Sequence, residues 1–156
     1  MPSALRDVRS ALVTLYTAKF AGTATKVFNG PRVRSAVPKQ YLLVGVNGID
    51  ELEAGMRAVQ NPSSLSGVWR DEAGEVDCTA VAWTGDTDMT TIRAAAEGIV
   101  DACEIALNAD RSLGGLLTLK SNLAEVTRLD IREQRTDKGP FVEAVFTVSY
   151  TTTLTS

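Results

Sequence analysis

The 156-residue sequence contains no histidine and only two cysteines. Without histidine the chain lacks the one side chain that titrates unperturbed near neutrality, which excludes Ser-His-Asp and Cys-His catalysis. The commonest metal ligand is missing with it. Cys78 and Cys103 have no CxxC partner, so no zinc site follows from recognised spacings. No apolar run approaches the roughly 18 residues of a membrane span, and the N-terminus lacks the charged-then-apolar order of a signal peptide. The expectation is a protein made and kept in the cytoplasm, with no membrane partner and no cofactor.

Acidic side chains are absent between Val8 and Ile49, and this gap uncovers an asymmetry inside the net charge of -3. Residues 1–49 carry Arg6, Arg9, Lys19, Lys26, Arg32, Arg34 and Lys39 against the single acid Asp7, a net of +6. Residues 50–156 carry a net of -9. Such a split fits a nucleic-acid surface, an acidic partner, or a subunit whose two sides attract each other in an assembly.

What is present reads as one globular domain over residues 1–156, with 44% hydrophobic and 22% charged residues. Residues 4–20 predict an amphipathic helix: Leu5, Val8, Leu12, Leu15, Tyr16 and Phe20 fall at helical spacing, with Ser3 as N-cap and Gly22 as exit. A short strand follows at 25–29, then an exposed loop between Pro31 and Pro38. The apolar run 40–46 predicts a central strand. Ile49, Leu52 and Met56 are spaced for two helical turns. Residues 67–70 and 75–84 read as a hairpin around Asp71-Glu72-Ala73-Gly74, with Val76, Cys78, Ala80 and Ala82 sharing one face of the second arm.

The clearest element is a second helix, in which Met89, Ile92, Ala96, Ile99, Cys103 and Ala106 repeat at spacings of three and four behind Asp86-Thr87-Asp88. Its many small residues favour close packing on a sheet over a coiled coil. A short strand is expected at 116–120. The strand at 124–135 sets Thr127, Leu129 and Ile131 against Arg128, Asp130 and Arg132. Asp137-Lys138-Gly139 turns it into a last strand at 141–151. The pattern predicts an α+β two-layer sandwich: a mainly antiparallel sheet of about four to six strands with two principal helices on one face.

Asp71, Glu72, Glu75 and Asp77, and the pair Asp86 and Asp88, are the acid–base or divalent-metal candidates in a chain without histidine. Placement at a hairpin tip and at a helix start gives both groups structural readings instead. Gly45-Val46-Asn47-Gly48 follows a strand but lacks the third glycine and any lysine-serine ending of a nucleotide loop. The two cysteines fall on apolar faces, as packing residues do. The sharper candidate is the basic loop region Lys26, Arg32, Arg34 and Lys39, facing either DNA phosphate or an acidic neighbouring subunit. Neither helix has the basic, polar face of a sequence-specific DNA reader. No catalytic and no metal-binding residues are assigned.

The order of these elements, from the N-terminal helix through Asn29-Gly30-Pro31, Tyr41-Leu42-Leu43-Val44-Gly45, the strand 75–83, the helix behind Asp86-Thr87-Asp88 and the closing run Phe141-Val142-Glu143-Ala144-Val145-Phe146-Thr147-Val148, resembles the tail terminator (tail completion) proteins of long-tailed bacteriophages. The resemblance implies a non-enzymatic virion subunit that forms a homo-hexameric ring at the head-proximal end of the tail, assembled in the host cytoplasm. Such a ring caps the tail tube protein, stops tube polymerisation and offers a docking surface to the head-completion or connector protein. DNA transits its channel without specific binding. Another neck or head-completion (head–tail joining) protein is the alternative, and a small carboxylate- and metal-dependent enzyme a third.

Overall fold

Alternation in the last third of the chain builds the centre of the sheet. Val142, Ala144, Phe146, Val148 and Tyr150 project to one face and are buried there, so the strand that carries them must have partners on both edges. The computed structural model describes residues 3–31, 38–48, 55–62, 69–83, 88–117, 123–136 and 139–155. In chain order the elements are α1 (Leu5–Lys19), β1 (Lys26–Asn29), β2 (Gln40–Val44), β3 (Met56–Pro62), β4 (Trp69–Trp83), α2 (Met89–Ala109), β5 (Glu125–Thr136) and β6 (Gly139–Thr155). They form an α+β fold with a six-stranded sheet in the order β1-β2-β4-β6-β5. β3 pairs with Arg70–Val76 of β4, next to the stretch Cys78–Ala82 that β2 takes. Only β1 and β2 run parallel; the other pairs are antiparallel.

Both helices lie on one face of this sheet. Val8, Leu12 and Tyr16 of α1 and Ile92, Ala96, Ile99 and Cys103 of α2 meet Leu42, Val76, Cys78, Ala80, Ala144 and Phe146 in one core. The small residues of α2 let it approach the strands closely, as expected for a core helix. α1 packs over β1, β2, β3 and β4, and α2 over β2, β4, β5 and β6, so each helix covers one side of the sheet. The helix-free face holds a smaller cluster of Tyr41, Leu43 and Val81, with Phe28, Val46, Trp83 and Phe141 packed against it. Asp88 caps α2 by accepting from the Thr90 and Thr91 N–H groups at 3.1 and 3.5 Å. Gly22 exits α1 with φ +77°, the left-handed conformation read from the sequence.

Several expectations are corrected. There is no hairpin at 71–74: β4 is continuous, because Asp71 to Gly74 pair with β3 on one edge and β6 on the other. Met56 begins strand β3 and is not in a helical turn; Ile49 and Leu52 lie outside the described residues. Leu116 and Leu117 belong to the turn that follows α2, with the Leu117 N–H on the Ser112 carbonyl at 2.9 Å, and not to a strand. α1 is not capped by Ser3. Its N-cap is Ala4, whose side chain makes no capping bond, and Ser3 accepts from the Leu5 N–H at 3.0 Å. A bulge between Val126 and Arg128 breaks the alternation of β5. It sends Thr127 to the helix-free face, where its hydroxyl meets Ser149 at 2.6 Å, and returns Leu129 and Ile131 to the helix face opposite Phe146 and Ala144. The turn residues Asp137 and Lys138 lie outside the described residues.

Candidate functional site

Of the four basic residues singled out in the sequence, Arg32 and Arg34 lie outside the described residues. Lys26 begins β1 and Lys39 precedes β2, and the parallel pairing of Lys26 with Tyr41 brings both to the same end of the β1–β2 edge. Both are exposed. Arg6 near the start of α1 and Lys19 at its end are exposed, and among the described residues none of these four cations makes an ion pair. Arg9 is used internally: its Nε donates to Asn29 Oδ1 at 2.6 Å, and its side chain lies against Gly30 and Gly45. At Gly45, with φ +85°, a side chain would meet both the backbone strain and the arginine.

The acids read as one cluster are divided by the pleat of β4 between the two faces of the sheet. Glu72 points to the helix side, where it is buried and accepts from the Ala4 N–H at 3.0 Å, Tyr150 Oη at 2.7 Å and Gln60 Nε2 at 2.7 Å. Burial alone would raise its pKa, but these hydrogen bonds, with one from Ser3, outweigh it and hold the carboxyl below its ordinary value. A carboxylate from the sheet thus serves the start of α1, where the helix dipole favours negative charge. Asp77 is buried on the helix-free side and accepts from Arg57 Nη1 at 3.0 Å, Asn47 Nδ2 at 2.9 Å and Thr147 Oγ1 at 2.7 Å. Here too burial would raise the pKa, and the bonds from Arg57, Thr147 and Asn47 lower it instead. Glu75 pairs with Arg57, and exposed Asp71 accepts from Thr153 Oγ1 at 2.9 Å. Asp86 lies outside the described residues and Asp88 is the cap of α2.

These networks hold the fold. The carboxylates with shifted acidity are moved down, away from the range of a general acid at neutral pH. Among the described residues no group of three or more Cys, Asp or Glu side chains is placed to hold a metal ion. Residues 49–54, which follow the Gly45–Gly48 loop, lie outside the described residues. The loop folds back over the helix-free face, with the Gly45 and Val46 N–H groups on the Asp77 carbonyl and the Gly48 N–H on Thr79 Oγ1 at 2.8 Å. Cys78 and Cys103 are free, buried thiols, as their apolar positions implied. No described helix is long and apolar enough to cross a membrane.

An open cleft of about 580 Å³ lies where β3, β4, β6 and the start of β5 run side by side, lined by Arg57, Val59, Glu75, Arg111, Glu125 and Thr151 among others. Its charges are mutually satisfied. Arg57 is paired with Glu75 and Asp77, and Arg111 with Glu125 at 3.2 Å. Among the described residues, exposed charges outside any ion pair remain on both sides, Asp7 on α1, Arg70 on β4 and Arg135 on β5 among them. The α1–β1 side carries Arg6, Lys19, Lys26 and Lys39, and the opposite side carries Asp101 and Glu104, exposed on α2 and likewise outside any ion pair. The sequence split shows the excess of positive charge; it does not show that α2 bears the unpaired negative charge, which needs the helix register and the pairing of the other acids.

No protein-family model matches the chain, and no curated protein matches it. Among solved structures, a chain from the virion of a native gene transfer agent particle shares the fold, with a TM-score of 0.56 and 12% identity over 96% of this chain and 99% of that one. At that identity the likeness is one of fold, extending from end to end of both chains.

Proposed function

We propose that this protein is a structural subunit of a phage-like particle, and specifically a tail terminator. In this reading it forms a homo-hexameric ring on the last ring of tail tube protein, ends tube polymerisation, and presents its free surface to the head-completion or connector protein. The observation that carries the proposal is the end-to-end fold correspondence with a virion chain, with neither chain leaving a large part unmatched. Fold alone does not fix function, and two features support the reading further. The conspicuous polar networks are tied into stability, and the exposed charges outside ion pairs leave a basic excess on α1 and β1, where Arg6, Lys19 and Lys26 outnumber Asp7, while Asp101 and Glu104 stand on α2.

A ring is a head-to-tail assembly, in which one edge of each subunit meets a different edge of the next. Complementary charge on those edges favours correct register and suppresses wrong pairings. The basic residues Lys26, Arg32, Arg34 and Lys39 then face a neighbouring subunit, and DNA passes the channel without specific contacts, since strong phosphate neutralisation would stall it.

Electron microscopy of the purified protein, alone and with tube protein, tests this directly. Rings of about six subunits that cap tubes and stop their growth are expected. A protein that stays monomeric with tube protein present, or that binds filled heads and not tails, overturns the tail-terminator assignment.

A further inference from the structure

The side of the molecule opposite the basic edge contains an apolar strip with no cover. Leu129 and Ile131 of β5 point to the helix face yet are 47% and 38% exposed, so the packing of α2 on β5 leaves them partly uncovered. Among the described residues two ion pairs join this side to β5, Arg93 of α2 to Glu133, and Arg111, just beyond the end of α2, to Glu125. Arg93–Ala109 spans roughly 24 Å of helix and Glu133–Glu125 roughly 26 Å of strand by the rise per residue, so helix and strand run alongside each other between the two pairs. Within that interval α2 carries Glu97, Asp101 and Glu104 outside its buried set, within about 80° of Arg93 around the helix by the 3.6-residue turn. Arg128, Asp130 and Arg132 on β5 point to the other face and have partners of their own.

We infer that this strip between α2 and β5 is the seat for α1 of a second copy of the chain, a contact that rests on the ring reading above. Two relationships argue for that occupant. The first is charge. α1 carries Arg6, Arg9 and Lys19 against the single acid Asp7, and among the described residues exposed Arg6, near its start, and Lys19, at its end, lack carboxylate partners, as Asp101 and Glu104 lack cations. Long basic side chains suit a floor of Leu129 and Ile131 walled by acids, since their methylene stems lie on apolar surface while the charged heads reach the carboxylates.

The second is height. Asn29, Val44, Cys78, Phe146 and Leu129 form one row across the five strands. Arg9 fixes the N-terminal half of α1 over Asn29 at one end of that row, and the uncovered strip begins at Leu129 at the other. A neighbour continuing the two-layer arrangement edge to edge therefore brings its α1 level with the strip. The two surfaces differ, so the contact is heterologous and propagates around a ring.

The test is a charge exchange. One variant carries Asp101→Lys and Glu104→Lys, the other Arg6→Glu and Lys19→Glu; all four residues are exposed, and circular dichroism checks that both variants fold. In sedimentation velocity each variant alone should require more than about tenfold higher concentration than wild type to assemble, because like charges now meet at every contact. Mixed in equal amounts they should assemble again in alternating rings of even number, since the two basic edges of the first variant then face the two acidic edges of the second, reversed against reversed and unreversed against unreversed. Wild-type rings that persist in both single variants, or folded variants whose mixture stays monomeric, overturn this contact and leave the ring standing. A wild type that never assembles overturns the ring itself.

Discussion

The hydroxyl of Tyr150 donates to Oε1 of Glu72 at 2.7 Å, and both side chains are buried between the sheet and the start of α1. The same carboxylate receives the Ala4 N–H and the Gln60 amide, so one side chain joins β4 to β6, β3 and the first helix. Glu72→Ala removes the acceptor for three donors at once. Loss of about 3 kcal/mol is expected, larger than one neutral hydrogen bond because the abandoned donors stay buried. Urea unfolding of the variant measures it, and Tyr150→Phe, which removes only one of the three bonds, should cost about 1–2 kcal/mol.

Glu72 and Asp77 also set the acid limit of the fold. Their carboxyls titrate near 4.5 and 3.8 when unperturbed, and both are held lower in the folded protein by the hydrogen bonds that outweigh burial. As pH falls toward the folded-state values the unfolded chain takes up protons first, so the stability these groups contribute is complete above their unfolded values and is drained below them. The urea midpoint should therefore stay level from pH 7 to about 5 and drop below about 4.5. In a Glu72→Gln/Asp77→Asn variant the midpoint at pH 7 should be lower and the acid slope shallower. An unchanged slope would mean that other carboxylates govern acid unfolding.

The parts of the fold carried by periodicity were legible in the sequence. The three-and-four spacing of Met89 to Ala106 placed α2, and the alternation of Val142 to Tyr150 placed β6, because both signals come from burial against a core. The parts decided by pairing were not. Asp71-Glu72-Ala73-Gly74 has the composition of a turn, and only two flanking strands make it the middle of β4. The alternation Glu72, Gly74, Val76, Cys78 was the available signal, masked by a buried carboxylate and a glycine on the core face. The bulge in β5 was equally hidden, since Thr127 looks like any other strand residue until its partner is known. The basic half of the charge split was visible, whereas its acidic counterpart on α2 emerged only once the other acids had been paired off.

Gly74 is in β4 because the ring of Tyr150 lies across it. A Cβ at this position would overlap the ring, which Glu72 holds in place and which cannot swing aside cheaply. Gly74→Ala should cost about 1–3 kcal/mol by overpacking. Gly98 makes the contrast. It lies on the exposed side of α2 with no atom within 4 Å of where a Cβ would stand. Gly98→Ala should stabilise the protein by about 0.5–1 kcal/mol, since alanine loses less backbone entropy in a helix. Thermal unfolding of the two variants should move in opposite directions.

Cys78 and Cys103 are both fully buried. Burial pushes the Cys78 thiol up to about 12 and raises that of Cys103 as well, so neither offers a thiolate at neutral pH. A thiol reagent added to the native protein should label neither residue, and both should react promptly in denaturant. Fast labelling of the folded protein would place one of them at a surface opened by local unfolding.

Among the described residues Tyr16 is the one buried side chain whose polar atom is left over. Its ring is fully buried in α1 and meets Phe146 edge-on, with centroids 6.4 Å apart and planes at 68°. Its hydroxyl has no hydrogen-bond partner among the described residues, and burial raises its pKa well above the ordinary value, with the Cys78 and Cys103 thiols adding to the effect. A buried hydroxyl without a partner carries a desolvation cost of about 1–3 kcal/mol that folding does not recover. Tyr16→Phe keeps the ring, its volume and its edge contact while removing that cost. Stabilisation of about 1 kcal/mol is expected, which in a chain of this size raises the melting temperature by about 2–4 °C. Calorimetry of the variant decides the matter: a fall in melting temperature would show that the hydroxyl is satisfied in solution and that Tyr16 fastens α1 to the core by a bond as well as by packing.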